Sequence, residues 1–120
     1  MLNRKMLSTE NENFGNVLVA LADPTRRQLL DHIAFMGQAT ATTLATKVTV
    51  SRQAVVKHLA VMEDAELVAS NRIGREVRYN VCPDQLTSTA KWMGKIAADW
   101  DKKLAWIKRM AEANNHSDLT

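Results

Sequence analysis

Cysteine, aromatic residues and long apolar runs are all scarce in this chain of 120 residues. The single cysteine, Cys82, excludes an intramolecular disulfide and is typical of a reducing compartment. No stretch approaches the roughly 18 consecutive apolar residues of a membrane-spanning helix. Residues 1–7 also lack the long apolar core of a signal peptide. We therefore expect a cytoplasmic protein with no membrane segment.

Motifs that carry catalysis are also missing. The glycines form no phosphate-binding loop, and the sequence has neither an HExxH motif nor a second cysteine. His32 has no further ligand-type residue at i+3 or i+4, so we expect a hydrogen-bonded or solvated histidine there. His58 is expected to be a packing histidine with one hydrogen bond. These absences predict no enzymatic activity, no catalytic residue and no cofactor.

The positions of the basic residues are more informative than the formal net charge of +3. A chain of this length builds one core of ordinary size, and a small positive charge only permits a polyanionic partner. The acidic residues Glu63, Asp64 and Glu66 lie at the far end of a predicted fourth helix. The start of that helix and the segment after it carry Arg52, Lys57, Arg72, Arg75 and Arg78.

A helix-turn-helix is predicted between Thr40 and Ala65. Apolar residues recur at helical spacing at Leu44, Ala45 and Val48, and again at Val55, Leu59 and Met62. Ser51 is placed to cap the second helix, because its hydroxyl can accept from a free backbone N–H. The face opposite the second apolar stripe carries Arg52, Gln53, Val56 and Lys57. Such a helix offers hydrogen-bond donors at its outward N-terminal end.

Two helices precede this motif, and a hairpin follows it. The first is predicted from about Glu12 to Leu21, and the second begins with Asp23 as its cap and Pro24 at its first position, and ends at Gly37. Gln38 and Ala39 are expected to form a brief extended stretch.

After the fourth helix, a hairpin turns at Gly74. The alternation of its second strand predicts Val77, Tyr79 and Val81 inward. We expect Arg72, Arg75 and Arg78 at the tip and outer face. A basic hairpin directly after a helix-turn-helix is the arrangement of a winged helix, in which the hairpin follows the phosphates or the minor groove. The alternative is a solvated hairpin whose arginines only confer solubility.

The remainder is predicted to be a long helix beginning at Pro83, with an interruption near residues 87–89. Two apolar strips run along it. The seam strip alternates spacings of four and three residues and comprises Leu86, Ala90, Met93, Ala97, Trp100, Leu104, Ile107 and Ala111. The second strip comprises Trp92, Ile96, Trp106 and Met110.

A small domain cannot easily cover both strips, so we expect one to close the core and the other to meet a second copy. We expect the dimer contacts to come from the terminal helices, at Phe14, Leu18, Met93, Ala97, Trp100, Leu104 and Ile107. Such a homodimer would place two recognition helices about 34 Å apart.

The predicted fold is mainly α with a small β-hairpin: a winged helix-turn-helix that dimerises through its terminal helices. Four segments are expected. Residues 1–11 form a mobile arm, 12–82 the DNA-binding domain, 83–112 a dimerisation helix of the same domain, and 113–120 a flexible tail.

From about Val17 to Met110 the chain resembles the ArsR family of bacterial winged-helix repressors. The resemblance is carried by residues 21–27 (LADPTRR), Leu44-Ala45, residues 50–59 (VSRQAVVKHL), Glu66-Leu67-Val68 and residues 74–79 (GREVRY). It implies a homodimeric transcriptional regulator, most often a repressor, bound to double-stranded DNA at a palindromic operator. Ser51, Arg52, Gln53, Val56 and Lys57 would face bases and phosphates.

The resemblance is closest to a branch of the family without metal sites. Paired cysteines of one metal-sensing class correspond to Thr40 and Thr42, whose hydroxyls do not bind soft metals. The final helix has Asp84, Asp99 and Asp101 but no histidine before His116, so we expect no metal site. Thr49 replaces a common turn glycine, so the turn is expected to adopt another geometry.

Three functions remain open at this point. A DNA-binding regulator would use Arg52 on guanine, Gln53 on adenine and Val56 on a thymine methyl, with Lys57, Arg72, Arg75 and Arg78 on phosphates. The alternatives are a winged-helix module for protein contacts and a thiol-responsive repressor that uses Cys82. No cation lies near Cys82 in sequence, which favours a small core residue. The inducer is unknown.

Overall fold

The computed structural model describes residues 13–118, with side chains as far as residue 114. The expected N-terminal arm at 1–11 lies outside the described residues. The chain forms two compact units, one ending at Thr87 and the other beginning at Ser88. The elements in order are α1 (13–22), α2 (Pro24–Met36), β1 (Ala39–Thr40), α3 (Ala41–Ala45), α4 (Arg52–Asp64), β2 (Val68–Ile73), β3 (Glu76–Val81) and α5 (Pro83–Asp118). The predicted mainly helical winged fold is confirmed.

Local hydrogen bonds set the limits of α2. The Asp23 carboxylate accepts from the backbone N–H of Thr25 at 2.7 Å and of Arg26 at 3.3 Å, and Pro24 follows it. Partial burial opposes ionisation of Asp23, but the N–H donors of Arg26 and Thr25 and the charge of Arg26 prevail and lower its pKa. Gly37 ends the helix with a φ of +80°, a conformation that glycine adopts without steric cost. Both predicted ends of α2 are confirmed.

Two arginines at the start of α2 complete the end of α1. Arg26 donates from Nε to the carbonyl of Ala20 at 2.7 Å, and Arg27 donates to the carbonyl of Leu21 at 2.6 Å. The last carbonyls of a helix lack intrahelical partners, and these guanidinium groups supply them. Nη1 of Arg26 also lies 3.3 Å from Nδ1 of the half-buried His58 on α4. The expected role of His58, packing with one hydrogen bond, is confirmed.

Side-chain caps also begin both helices of the helix-turn-helix. The Thr40 hydroxyl accepts from the N–H of Thr43 at 3.1 Å, and that of Ser51 accepts from the N–H of Ala54 at 3.1 Å. Among the described residues, Glu66 is the only non-glycine residue with a positive φ. Thr49 therefore avoids the left-handed conformation, as its β-branched side chain led us to expect.

The sheet has three antiparallel strands in the order β1-β3-β2. We call the β2–β3 hairpin, residues 68–81, the wing. It turns at Gly74, where φ is +64°. The short strand β1 pairs with β3, with Ala39 opposite Tyr79. The brief extended stretch is thus confirmed, one residue later than predicted.

The core of the first unit joins α1–α4 to the base of the wing. Its largest fully buried side chains are Val17, Leu29, Ile33, Leu44, Val55, Leu59, Met62 and Leu67. Tyr79 and Val81 pack against it as predicted, but Val77 is 40% exposed. Burial decreases along β2 towards the turn, so an inward orientation near the tip no longer implies burial. Val77 therefore lies on the predicted face, that of Tyr79, but is not buried there.

Helix α5 is continuous and longer than predicted. It passes through residues 87–89 without interruption and continues beyond 112 to Asp118, because neither proline nor glycine follows Gly94 as far as residue 118. In the second unit, which begins at Ser88, the seam strip is exposed at Met93, Trp100, Leu104 and Ile107, and the second strip at Ile96, Trp106 and Met110. Both strips are exposed there, so the expectation that one of them closes the core is wrong for this unit. No helix in the described part of the chain is long and apolar enough to cross a membrane.

Candidate nucleic-acid interface

Helix α4 separates a buried face from a polar one. Val55, Leu59 and Met62 are completely buried, and this fixes the rotation of the helix about its axis. We call the exposed opposite side the outward face of α4; it comprises Ser51, Arg52, Gln53, Val56 and Lys57. The predicted direction of these side chains is therefore correct.

The N-terminus of α4 retains a hydrogen-bond donor and the positive end of the helix dipole. Ser51 caps one N–H with its oxygen, and its own hydroxyl hydrogen remains able to donate. The first turn contains no acidic residue, so no carboxylate in that turn neutralises the positive end of the helix dipole. The end of α4 that carries Arg52 and Gln53 is thus suited to negatively charged partners.

Arg52 is held by a residue that the sequence did not single out for this role. Its Nε donates to Oγ1 of Thr42 on α3 at 3.1 Å, and both side chains are exposed. The two residues are ten positions apart, and their helices belong to one helix-turn-helix. In the sequence, only the general rule that the two helices of this motif pack together indicates that Thr42 and Arg52 lie close to each other.

The strand register divides the wing arginines between the two faces of the ribbon. Arg72 lies opposite Val77, and Arg78 lies opposite Asn71. Directly opposed residues share a face of the ribbon and neighbouring pairs alternate. Arg72 therefore lies on the face that carries Tyr79, close to the turn, and Arg78 lies on the other face. The register thus divides between two faces the arginines that we expect together at the tip and outer face.

The wing arginines also differ in their partners. Nε of Arg78 lies 3.2 Å from a carboxylate oxygen of Glu76, and both side chains are partly exposed. Among the described residues, Lys57, Arg72 and Arg75 form no ion pair. These three cations thus have their full charge available to an external anion.

A groove of about 570 Å³ lies between the helix-turn-helix and the wing. Its lining includes Arg52 from α4 and Arg75 from the turn of the wing, with apolar contributions from Val56 and Val77. Tyr79 also lines it; burial and the nearby charge of Glu63 raise the pKa of its hydroxyl, although Arg52 acts in the opposite direction. Tyr79 is therefore a neutral hydrogen-bonding group. The groove presents two cations, Arg52 and Arg75, and one carboxylate, Glu76, beside apolar surface.

The threonines at the metal-site positions are both engaged in hydrogen bonds within the protein. The Thr40 hydroxyl caps α3, and the Thr42 hydroxyl accepts from Arg52. Within the described residues, no three histidine, cysteine, aspartate or glutamate side chains lie close enough together to hold one metal ion.

Cys82 lies half-buried just after β3, where its N–H donates to the carbonyl of Leu67 at 2.8 Å. The side chains around the adjoining groove include Glu63, Glu66 and Asp84, and no lysine or arginine is among them. Reactive cysteines lie beside cations, which the lining of this groove does not provide.

Comparisons with known proteins agree with this geometry. A family model described as a helix-turn-helix domain matches residues 21–71. The transcriptional repressor SdpR of Bacillus subtilis (strain 168) is 32% identical over 79 residues, covering 66% of this chain and 87% of SdpR. The solved structure of an ArsR-like transcriptional regulator from Rhodococcus sp. RHA1 is 39% identical, with a TM-score of 0.76 over 84% of this chain and 94% of that one.

A third protein is similar in fold alone. The homodimeric winged helix-turn-helix DNA-binding domain Mb0332 from Mycobacterium bovis, a possible ArsR-family transcriptional regulator, is 24% identical with a TM-score of 0.59. The match covers 80% of this chain and 84% of that domain. The length and identity of the matches to SdpR and to the Rhodococcus regulator show that this chain belongs to the ArsR family of winged helix-turn-helix transcriptional regulators.

Proposed function

We propose that this regulator is a repressor that binds a palindromic operator as a homodimer in the cytoplasm and has no catalytic activity. The observation that supports specific DNA binding is the outward face of α4, which is polar and exposed above a completely buried stripe. The similarity to SdpR, which is a transcriptional repressor, supports repression rather than activation.

Residues of the outward face would contact the bases. Arg52 has a planar guanidinium that can donate two hydrogen bonds to guanine, and the Gln53 amide matches adenine. Val56, which is 39% exposed, provides an apolar contact for a thymine methyl. Ser51, at the cap, is placed to donate to a phosphate or a base edge.

Basic residues around this face would position the protein on the phosphates. Lys57 and Arg75 carry exposed, unpaired charges that suit this role, and so does Arg72. Arg78 would first have to exchange its ion pair with Glu76 for a phosphate. Phosphate contacts provide affinity and orientation but little sequence information.

Dimerisation would cover the apolar surface of α5. Along the seam strip, Trp100, Leu104 and Ile107 are each more than half exposed. Soluble proteins rarely leave contiguous apolar surface of this kind in water. We propose that the seam strip, including Met93 and Ala97, meets a second copy, together with Phe14 and Leu18 of α1. Residues 12–82 would then bind DNA and residues 83–112 would join the subunits.

Selection from a pool of random DNA duplexes tests this function. The chain is expected to enrich duplexes with an inverted repeat whose half-sites are about one helical turn apart, and to bind them as a species of twice the chain mass. Enrichment of no sequence, or of a single half-site by a single chain, would contradict the proposal.

A further inference from the structure

The contact between Thr42 and Arg52 has a consequence for base recognition. A guanidinium can present two parallel N–H groups in two ways: end-on through Nη1 and Nη2, or side-on through Nε and one Nη. Nε of Arg52 already donates to the Thr42 hydroxyl at 3.1 Å. The side-on pair is therefore occupied, and the end-on pair remains for a partner.

The fold anchors Thr42 firmly enough to orient another side chain. Its neighbour Ala41 and the residue two positions later, Leu44, are buried in the core, and Thr40 caps the same helical turn. Threonine is β-branched, so few χ1 rotamers direct its hydroxyl. The oxygen that meets Arg52 is thus held in place by a buried segment.

Arg52 has no competing carboxylate partner in the described part of the chain. Its hydrogen bond to Thr42 is the one that restrains an otherwise flexible and exposed side chain. Restraining a side chain in its bound orientation reduces the conformational entropy lost on binding. The resulting gain in binding free energy is obtained only where the two N–H groups that Arg52 presents meet matching acceptors. Restraint of Arg52 therefore favours the correct base over incorrect ones.

We propose that Thr42 is a positioning residue for base recognition, which holds Arg52 so that its guanidinium meets the major-groove acceptors of a guanine end-on. This rests on the proposed function of Arg52. Thr42 acts through Arg52 and does not itself contact DNA.

The first test compares three threonine variants on two probes: a duplex selected by the wild-type chain from a random pool, and an unselected duplex. Thr42→Val keeps the shape and removes the hydroxyl, and we expect about three- to tenfold weaker binding to the selected duplex with unchanged binding to the unselected one. Thr42→Ser should restore affinity. Thr43→Val is the matched control, because Thr43 is exposed in the same groove and does not bond to Arg52.

A double-mutant cycle separates positioning from direct contact. In an Arg52→Ala background, Thr42→Val should cause no further loss, and both single variants should relax discrimination at the same base pair. An additive loss would mean that Thr42 touches DNA itself, and an unchanged affinity of Thr42→Val would mean that the bond has no role. Either result overturns the proposal. Failure of the proposed function would be seen separately, as a wild-type chain that prefers no duplex.

A measurement without DNA provides an independent test. Nitrogen-15 NMR follows the exchange of the Arg52 Nε–H with water, which a hydrogen bond slows. We expect severalfold faster exchange in Thr42→Val and near wild-type exchange in Thr42→Ser and Thr43→Val. Equal rates in the wild type and Thr42→Val would overturn the proposal.

Discussion

Arg52 and Arg75 line one groove but are held differently. Arg52 projects from a helix whose rotation is fixed by three buried residues, and a hydroxyl restrains its guanidinium. Arg75 lies in the turn of the wing and has no ion-pair partner among the described residues. An oriented donor pair can distinguish bases, whereas an unrestrained cation responds mainly to the phosphate charge.

This difference predicts separable effects of two substitutions. Arg52→Ala should weaken binding to a selected duplex by about 1–3 kcal/mol and relax one base position, whereas Arg75→Ala should weaken binding to all sequences and lower the salt slope by about one. Titrations against selected and random duplexes at several salt concentrations measure both effects. Equal losses on both probes for both variants would contradict these roles.

The ion pair of Arg78 predicts a gain of affinity. Glu76→Gln removes the carboxylate that lies 3.2 Å from Arg78 and also removes a negative charge from the groove. DNA binding should tighten by about 0.2–1 kcal/mol, the usual range for an exposed pair, with no change in base preference. Asp31→Asn is the matched control, because Asp31 is an exposed acid on α2 that does not line the groove. An equal gain of DNA affinity in Asp31→Asn would mean that the change in net charge, and not the ion pair of Arg78, causes the effect.

At the scale of elements, capping residues determine where the helices begin. Asp23 and Ser51 each accept backbone N–H groups of the first turn. Replacing such a cap by alanine typically costs about 0.5–2 kcal/mol. The cap of α4 is of special interest because it fixes the end of the helix that carries Arg52.

The Asp23 cap predicts a specific pH dependence. Its pKa in the folded chain is lowered from 3.8, so the carboxylate contributes stability that is fully present above that value. This contribution is lost as the pH falls through the lower folded value. Asp23→Asn keeps an acceptor oxygen without titrating, so its urea unfolding midpoint should fall less below pH 4 than that of the wild type. Parallel curves for both proteins would contradict this assignment.

The sequence predicted those features that depend on neighbouring residues. The caps at Asp23 and Ser51 and the stop at Gly37 are local, and the buried stripe of α4 follows from its periodicity. The face of Arg72 depends on the register across a two-residue turn, which alternation within one strand does not determine. The bond between Thr42 and Arg52 is tertiary, so no local pattern predicts it. Helix α5 is longer than predicted because its polar end contains no residue that breaks a helix.

At the scale of the whole molecule, we propose that the exposed seam strip of α5 is covered by a second copy. If the seam strip meets a second copy, Leu104→Glu would place a charge in an apolar interface and weaken the dimer by about a hundredfold or more. Met110→Glu on the second strip is the matched control and should leave the dimer intact. Sedimentation velocity measures the mass of each. A monomeric wild type, or a Leu104→Glu variant that remains a dimer, would contradict this interface.

Above all, we propose that the outward face of α4 recognises a DNA sequence. Competition at physiological salt between a duplex selected by the wild-type chain and an excess of random duplex tests it most directly. We predict that the selected duplex is bound at least about a thousandfold more tightly, the usual margin of specific over non-specific sites, and that Arg52→Ala reduces this ratio. Equal affinity for both duplexes in the wild-type chain would contradict the account.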